Sequence, residues 1–414
     1  MSANLRQAVS WVMAERGLQM LMMLLIAAVL ARTYGPVGLA TFQTYLSLAA
    51  VFASIGFLCS AEVLIPRYQA EHPRYGLVFE YAFLLRLMAA LVAGSAYLLY
   101  VYQAFPENPA LALGLLPIVV IHEPVAAFGV YFQTVGQQRV WSVIRLTWLL
   151  AKVALVLLIA GLGLPLGWVG LPYAVEALGA AVMLMRRYGY DAIRPMWRWD
   201  PALLRELLSH GVGMGLGLVA MATLQRLDRL HLAAVGALET LGQYAAGIQI
   251  AEAWFFCAFL IVQAIAARHV FALTGRARLQ RIVAVAGVFG TVATVAWLMG
   301  SVLAPWAIPW LYGAEFGDTV SWLRWQLGLA IVVWLEAALG LTLLGQKATL
   351  WITAKWGGAL LVAYVMANVP WPGVPAPLQI PLSGYAFACL FSLVYTLGGW
   401  RRWSRTGPSA EHDS

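Results

Sequence analysis

The chain has 414 residues and a net charge of +8, with 62% of its residues hydrophobic and 11% charged. A soluble domain of this length would carry roughly 25% charged residues to sustain a hydrated surface, so a globule in water is excluded. An α-helical span takes roughly 20 apolar residues, which predicts about a dozen spans and no large soluble domain.

In chain order the spans are predicted near 8–33, 39–65, 77–102, 110–134, 138–162, 165–188, 205–234, 241–267, 279–303, 318–344, 347–369 and 382–400. The first residues run directly into a long apolar stretch without a small-residue cleavage site, so no cleavable signal peptide is expected. Pro and Gly are scattered through the spans, which membrane helices tolerate when neighbours satisfy the freed backbone groups. Cys59, Cys257 and Cys389 sit inside apolar runs and read as small hydrophobes, with no disulfide framework and no metal spacing.

Basic residues fall on alternate loops. One set holds Arg6; Arg67 and Arg74; Arg139; Arg186, Arg187, Arg194, Arg198 and Arg205; Arg268, Arg276, Arg278 and Arg281; Lys347; and Arg401, Arg402 and Arg405. The opposite set holds Arg32 with the acidic Glu107, Glu239, Glu315 and Asp318. Cytoplasmic loops collect Lys and Arg. The expectation is therefore a multi-pass protein of the cytoplasmic (inner) membrane, with an even number of spans and both termini cytoplasmic. The positive charge is accounted for by topology, and no nucleic-acid partner is expected.

The longest connection, Arg186 to Pro201, reads RRYGYDAIRPMWRWDP. Its basic residues, with Trp197 and Trp199, suit a segment lying on the cytoplasmic leaflet. It divides the chain into an N-terminal six-helix lobe (1–188), a linker (189–204), a C-terminal six-helix lobe (205–400) and a tail (401–414). The halves echo one another. ARTYGPVGLATFQTYLSL follows the first span and AAVGALETLGQYAAGIQI the seventh, each with a Gly-containing turn and then an aromatic, Phe42 or Tyr244. Internal repeats of this kind build transporters in which two bundles enclose a site at the bilayer midplane. The expected fold class is all-α integral membrane, about 12 transmembrane helices in two six-helix lobes around a central cavity.

Ionisable residues deep in a bilayer are costly and usually face a cavity or one another. Arg16, Arg86, Arg145, Lys152, Arg226, Arg229 and Lys355 lie well inside spans, as do Glu15, Glu123, Glu176, Asp228, Glu252 and Glu336. Arg145 and Lys152 are seven residues apart, which places both on one helical face with Trp148 between them. One reading is a cationic lining for an anionic substrate, because guanidinium and ammonium groups pair with phosphate oxygens. The other is pairing with carboxylates on neighbouring helices. The seventh span ends TLQRLDRLHL; His231 suits a helix end in the headgroups, and Arg226 with Asp228 a partly paired cluster facing the cavity. Beside Pro124, His122 and Glu123 are either a proton site or a satisfied core pair. Glu123, Asp228 and Glu252 are the candidates for coupling or ion pairing.

The chain lacks a GxxxxGK[ST] loop, a nucleophile elbow and an HExxH helix. It also lacks the large outer loops of a membrane glycosyltransferase or polymerase. No enzyme activity, cofactor or metal is expected.

Three stretches carry a family likeness: LARTYGPVGLATFQTYLSL (Leu30 to Leu48), LQRLDRLHLAAVGALETLGQYAAGIQIAE (Leu224 to Glu252) and PWLYGAEFGDTVSWLRW (Pro309 to Trp325). They resemble motifs of the polysaccharide transporter family, the Wzx-type O-antigen flippases, within the superfamily that includes multidrug and toxin extruders and the lipid II flippase. Asp228 and Arg229 match that family's "Dr" pair. The resemblance implies transport of a polyprenyl-diphosphate-linked oligosaccharide between leaflets for O-antigen or lipopolysaccharide biosynthesis. Its implied partners are the lipid carrier, membrane lipids and a glycan polymerase or export machinery. The alternatives are a multidrug or metabolite extruder, favoured by a carboxylate-dominated cavity, and a membrane-embedded glycan polymerase or acyltransferase, favoured by an outward catalytic loop.

Overall fold

In hydrocarbon each backbone N–H and C=O must find its partner within the protein, so apolar runs of this length become helices. The computed structural model describes residues 3–58, 75–191, 199–266, 270–273, 275–345 and 349–403, and contains no strand among them. Of the loop residues read above by charge, Arg67, Arg74, Arg194, Arg198, Arg268, Lys347 and Arg405 lie outside the described residues, as do Cys59, Trp197 and most of the tail.

The first helical stretch, α1 (Ala3–Ala53), holds two predicted spans. Gly35, with φ 67° and ψ −173°, breaks the helix, and Pro36 follows it. Positive φ is open to glycine without steric cost. Leu24 and Leu46, equidistant in sequence from Gly35, line one cavity, so the chain doubles back there. After it come α2 (Tyr75–Ala104), α3 (Pro109–Pro117) and α4 (Glu123–Thr134). A π turn at Ile118–His122 joins the last two, ending two residues before Pro124. Proline cannot donate to the preceding turn, and a π turn is a common way for a helix to absorb that loss. The N-terminal half ends with α5 (Gln138–Gly161) and α6 (Gly170–Asp191).

The C-terminal half runs through α7 (Pro201–Ala234), α8 (Leu238–Ile265), α9 (Gly275–Tyr312) and α10 (Thr319–Leu339). It finishes with the short α11 (Leu341–Gly345), α12 (Thr349–Met366) and α13 (Ala376–Trp403). Among the described residues ten stretches are long and apolar enough to cross a membrane, Glu15–Phe57 among them, and Leu350–Met366 is a shorter apolar helix. With two passes in the first stretch, these account for the predicted dozen.

Helix ends depart from the sequence expectation around the central connection. Arg186 and Arg187 belong to α6, which continues to Asp191. α7 begins at Pro201 because Asp200 caps it, its Oδ1 accepting from Leu203 N at 3.0 Å, and proline suits the first helical position. At the far end of α7 the turn is closed by Ala237 N donating to Leu232 O and Gly236 N to Ala233 O, with Gly236 at φ 74°. That pair of bonds is a Schellman closure, which calls for a left-handed residue. The two echoing segments thus each turn on a positive-φ glycine, Gly35 and Gly236.

The halves meet at both ends of the bundle. On the Gly35 side, Arg32 of α1 donates through Nε to Leu311 O at 3.0 Å and through Nη2 to Trp310 O, capping carbonyls near the end of α9. Gly242 of α8 presses on Pro36 so closely that a Cβ would fall 2.1 Å from the Pro36 oxygen. At the opposite end, Val78, Phe79 and Tyr81 of α2 bury themselves against Leu203 and Leu207 of α7, and Asp200 N donates to Tyr81 Oη at 2.7 Å. Between these two closures lies the site.

Candidate functional site

Three residues apart on α7, Arg226 and Arg229 share a helical face, and Glu252 of α8 stands opposite them. Arg226 Nη1 donates to both Glu252 oxygens, at 2.9 and 3.0 Å. Arg229 reaches the same carboxylate from behind, donating to Oε2 at 3.4 Å and to Oε1, and also to the Gln225 carbonyl. Asp228 accepts from Arg229 N at 2.8 Å and from the Tyr244 hydroxyl, and lies 3.5 Å from Arg229 Nε. The side chains of Arg226 and Glu252 stay 27% and 29% exposed, whereas those of Arg229 and Asp228 are 1% and 3% exposed. The outer pair therefore faces open space and the inner pair anchors it.

That space is a cavity of about 290 Å³ between the halves. Arg16 and Gln43 of α1 face it from one side, Arg226, Arg229, Gln249 and Glu252 from the other. Arg16 donates to Gln19 Oε1 at 3.2 Å and lies 5.8 Å above the Phe256 ring; among the described residues no carboxylate is within ion-pairing distance of it. Its neighbour Glu15 is buried, turned toward α5, where Ser142 Oγ donates to it. Gln43 is buried, and its Nε2 has no hydrogen-bond partner among the described residues. Three guanidinium groups thus share this wall with one carboxylate, and an amide donor stands unused beside them. By the helical rise of ~1.5 Å per residue, Arg226 lies about 12 Å from the end of α7 at Ala234, well inside the span.

Two further spaces adjoin the cavity. One, of about 160 Å³ inside the C-terminal half, lies between Asp228, Glu252, Pro381 and Tyr385; Gln225 Nε2 donates to Tyr385 Oη at 3.3 Å. The other is an apolar groove of about 580 Å³ where α1, α8, α9 and α10 meet, flanked by Gly17, Trp254 and Leu303. Met20, Leu24 and Ala253 border both groove and cavity, so the two lie side by side.

The remaining predicted residues fall elsewhere. Lys152 is buried on Glu176 of α6 at 2.7 Å, 4.6 Å above the Tyr173 ring. Lys355 is buried on Glu336 of α10, 4.4 Å above the Trp356 ring. Neither lines the cavity: each of these cations found a carboxylate on an adjacent helix. Trp148, expected beside Lys152 on an open face, packs on Gly179 of α6 and donates to Met183 Sδ at 3.0 Å. Arg145 is half-buried, 5.7 Å from the Trp141 ring, and does not border the cavity. Arg86 is buried and donates to the Glu123 carbonyl at 3.3 Å; both residues have further partners. His231 lies in the last turn of α7. Gln19, Gln43 and Gln249 escaped sequence reading because a lone amide in an apolar run carries no charge signal. Among the described residues no cluster of His, Cys, Asp or Glu suits a metal ion.

No family model and no curated protein matches the chain. Solved structures do. A multidrug-resistance MATE family transporter of the MOP superfamily, in an inward-facing conformation, aligns with TM-score 0.63 at 15% identity over 94% of this chain and 95% of that one. The eukaryotic MATE transporter AtDTX14 aligns with TM-score 0.60 at 14% identity over 97% of each chain. The lipid II flippase MurJ, inward closed, aligns with TM-score 0.64 at 11% identity over 94% of this chain and 87% of that one. The chain therefore has the fold common to the MATE transporters and MurJ.

Proposed function

We propose that the chain is an alternating-access flippase of the cytoplasmic membrane that carries a polyprenyl-diphosphate-linked oligosaccharide from the inner to the outer leaflet. The observation that carries this reading is the cavity wall: Arg16 and Arg226 beside Glu252, with the Arg229–Asp228 pair buried behind them, next to an apolar groove. Guanidinium groups bind phosphate with short, charge-assisted bonds, and they do so most strongly where water is scarce. A diphosphate fits the cationic wall while its prenyl tail lies in the groove and reaches lipid without leaving hydrocarbon. The cavity, near 290 Å³, sits just under the ~300–1,000 Å³ that holds a drug-sized ligand. A diphosphate with its first sugar is all this conformation takes, and a longer glycan requires the halves to part.

In this reading residues 1–188 and 205–400 are the two rocking bodies. The Arg32 and Gly242 contacts close the outer face, and the α2–α7 cluster closes the inner one. Arg16 and Arg226 hold the headgroup, with Arg229 buried behind them; Glu252, held by two arginines, is the carboxylate a phosphate displaces. Asp228 anchors Arg229. Lys152 and Lys355, with Glu176 and Glu336, hold helices together. Extrusion of cationic drugs on the same fold is disfavoured, because a wall with three cations repels them.

The test is deletion of the gene in its host. Loss of surface polysaccharide, with lipid-linked repeat units trapped facing the cytoplasm, supports flipping. Intact polysaccharide together with hypersensitivity to cationic dyes overturns it in favour of extrusion.

A further inference from the structure

A second large groove lies on the flank of the C-terminal half, away from the central cavity. It encloses about 690 Å³ between α9, α10 and the start of α13, with walls that include Trp297, Trp325, Leu378 and Leu382. Its lining is apolar except at Ser301 and Arg324. Arg324 sits in the second turn of α10 and is exposed. Its Nε donates to the Ser301 carbonyl at 3.1 Å, and the Trp297 indole N–H donates to the Arg324 carbonyl at 3.0 Å. Among the described residues no carboxylate is within ion-pairing distance of this guanidinium. This exposed guanidinium therefore has no carboxylate to offset it among the described residues, at the lip of an oily trough.

Depth decides what meets that charge. Arg324 is five residues past Thr319, so it lies ~8 Å below the end of α10 by helical rise. That end is on the Gly35 side of the bundle, since Gln243 Nε2 donates to the Glu315 carbonyl and the Thr319 hydroxyl to the Gln243 carbonyl. This is the depth at which lipid headgroups give way to chains, and tryptophans prefer it for the same reason. Trp325, 46% exposed, stands beside the arginine.

We propose that this groove is a binding site for an anionic phospholipid of the leaflet on the Gly35 side, its phosphate on Arg324 and an acyl chain along Trp297, Leu378 and Leu382. The charge selects the headgroup and the trough holds the chain. The site is separate from the transport cavity, whose arginines do not border it.

Two variants test it. Arg324→Gln removes the charge and keeps the trough. Gly328→Leu keeps the charge and fills the trough; a Cβ at Gly328 would have its nearest contact 3.6 Å away, at Trp297 Nε1, so the substitution meets no clash at its base. Protein in nanodiscs of phosphatidylcholine with graded phosphatidylglycerol is released into native mass spectrometry, and retained lipids are counted. Wild type is expected to retain phosphatidylglycerol over phosphatidylcholine. Loss of a charge-assisted contact should weaken that retention by about tenfold in Arg324→Gln, and Gly328→Leu should lower retention of both lipids. Equal phosphatidylglycerol retention by wild type and Arg324→Gln overturns the headgroup contact. Undiminished retention in Gly328→Leu overturns the trough. Retention without headgroup preference in wild type overturns the proposal altogether. None of these readouts depends on transport.

Discussion

Replacing Gly242 by alanine adds one methyl group at the point where the two halves touch on the Gly35 side. Its Cβ would lie 2.1 Å from the Pro36 oxygen, 2.5 Å from the Pro36 carbonyl carbon and 2.8 Å from the Pro36 Cα. Backbone atoms on both sides leave no flexible side chain to yield, so the halves must separate by an ångström or so for ordinary contact. Overpacking of this kind costs about 1–3 kcal/mol. Because the clash exists only while this face is closed, the cost falls on one conformation and multiplies the open population about 5- to 150-fold. Spin labels at Val37 and Val235, exposed positions on the two halves, report the separation. The background lacks Cys59, Cys257 and Cys389. Pulsed dipolar spectroscopy in liposomes should show the Val37–Val235 distance lengthened or bimodal in Gly242→Ala. An unchanged distribution with correct membrane insertion would refute the idea that this contact is a closure between moving bodies.

Arg32→Ala removes two bonds from a guanidinium to carbonyls of α9; the same spin-label pair should shift in the same direction, by about 1 kcal/mol for a partly hydrated contact. Arg16→Gln and Arg226→Gln should each lower flipping of a fluorescent polyprenyl-diphosphate sugar in proteoliposomes by at least about tenfold, with thermal stability kept in Arg16→Gln. Wild-type rates in both would remove the cavity from the transport path. Lys152→Met should cost about 3–5 kcal/mol by stranding Glu176, and the double change with Glu176→Leu should restore most of it. Lys355→Met and Glu336→Leu should behave alike, read from melting in detergent. If the single lysine variants are as stable as wild type yet transport-dead, these lysines serve the substrate and not the packing.

Membership of the bilayer, the number of passes and the two reversing glycines were legible along the chain, because each rests on local quantities. Span length follows from bilayer thickness, and the turns at Gly35 and Gly236 follow from which residues tolerate positive φ. The buried charges were equally visible as a set. Their division was not. Arg145 and Lys152 share a helical face, yet Lys152 meets Glu176 from the next helix while Arg145 lies by Trp141. Arg16 and Glu15 are adjacent in the chain and face different surroundings. A cation in hydrocarbon takes whatever carboxylate the neighbouring helix brings within reach, and that neighbour is set by packing between segments remote in sequence. One-dimensional order therefore determines that charge lies at mid-membrane depth. Only the arrangement of helices in three dimensions decides which charges cancel in a dry contact and which remain facing open space.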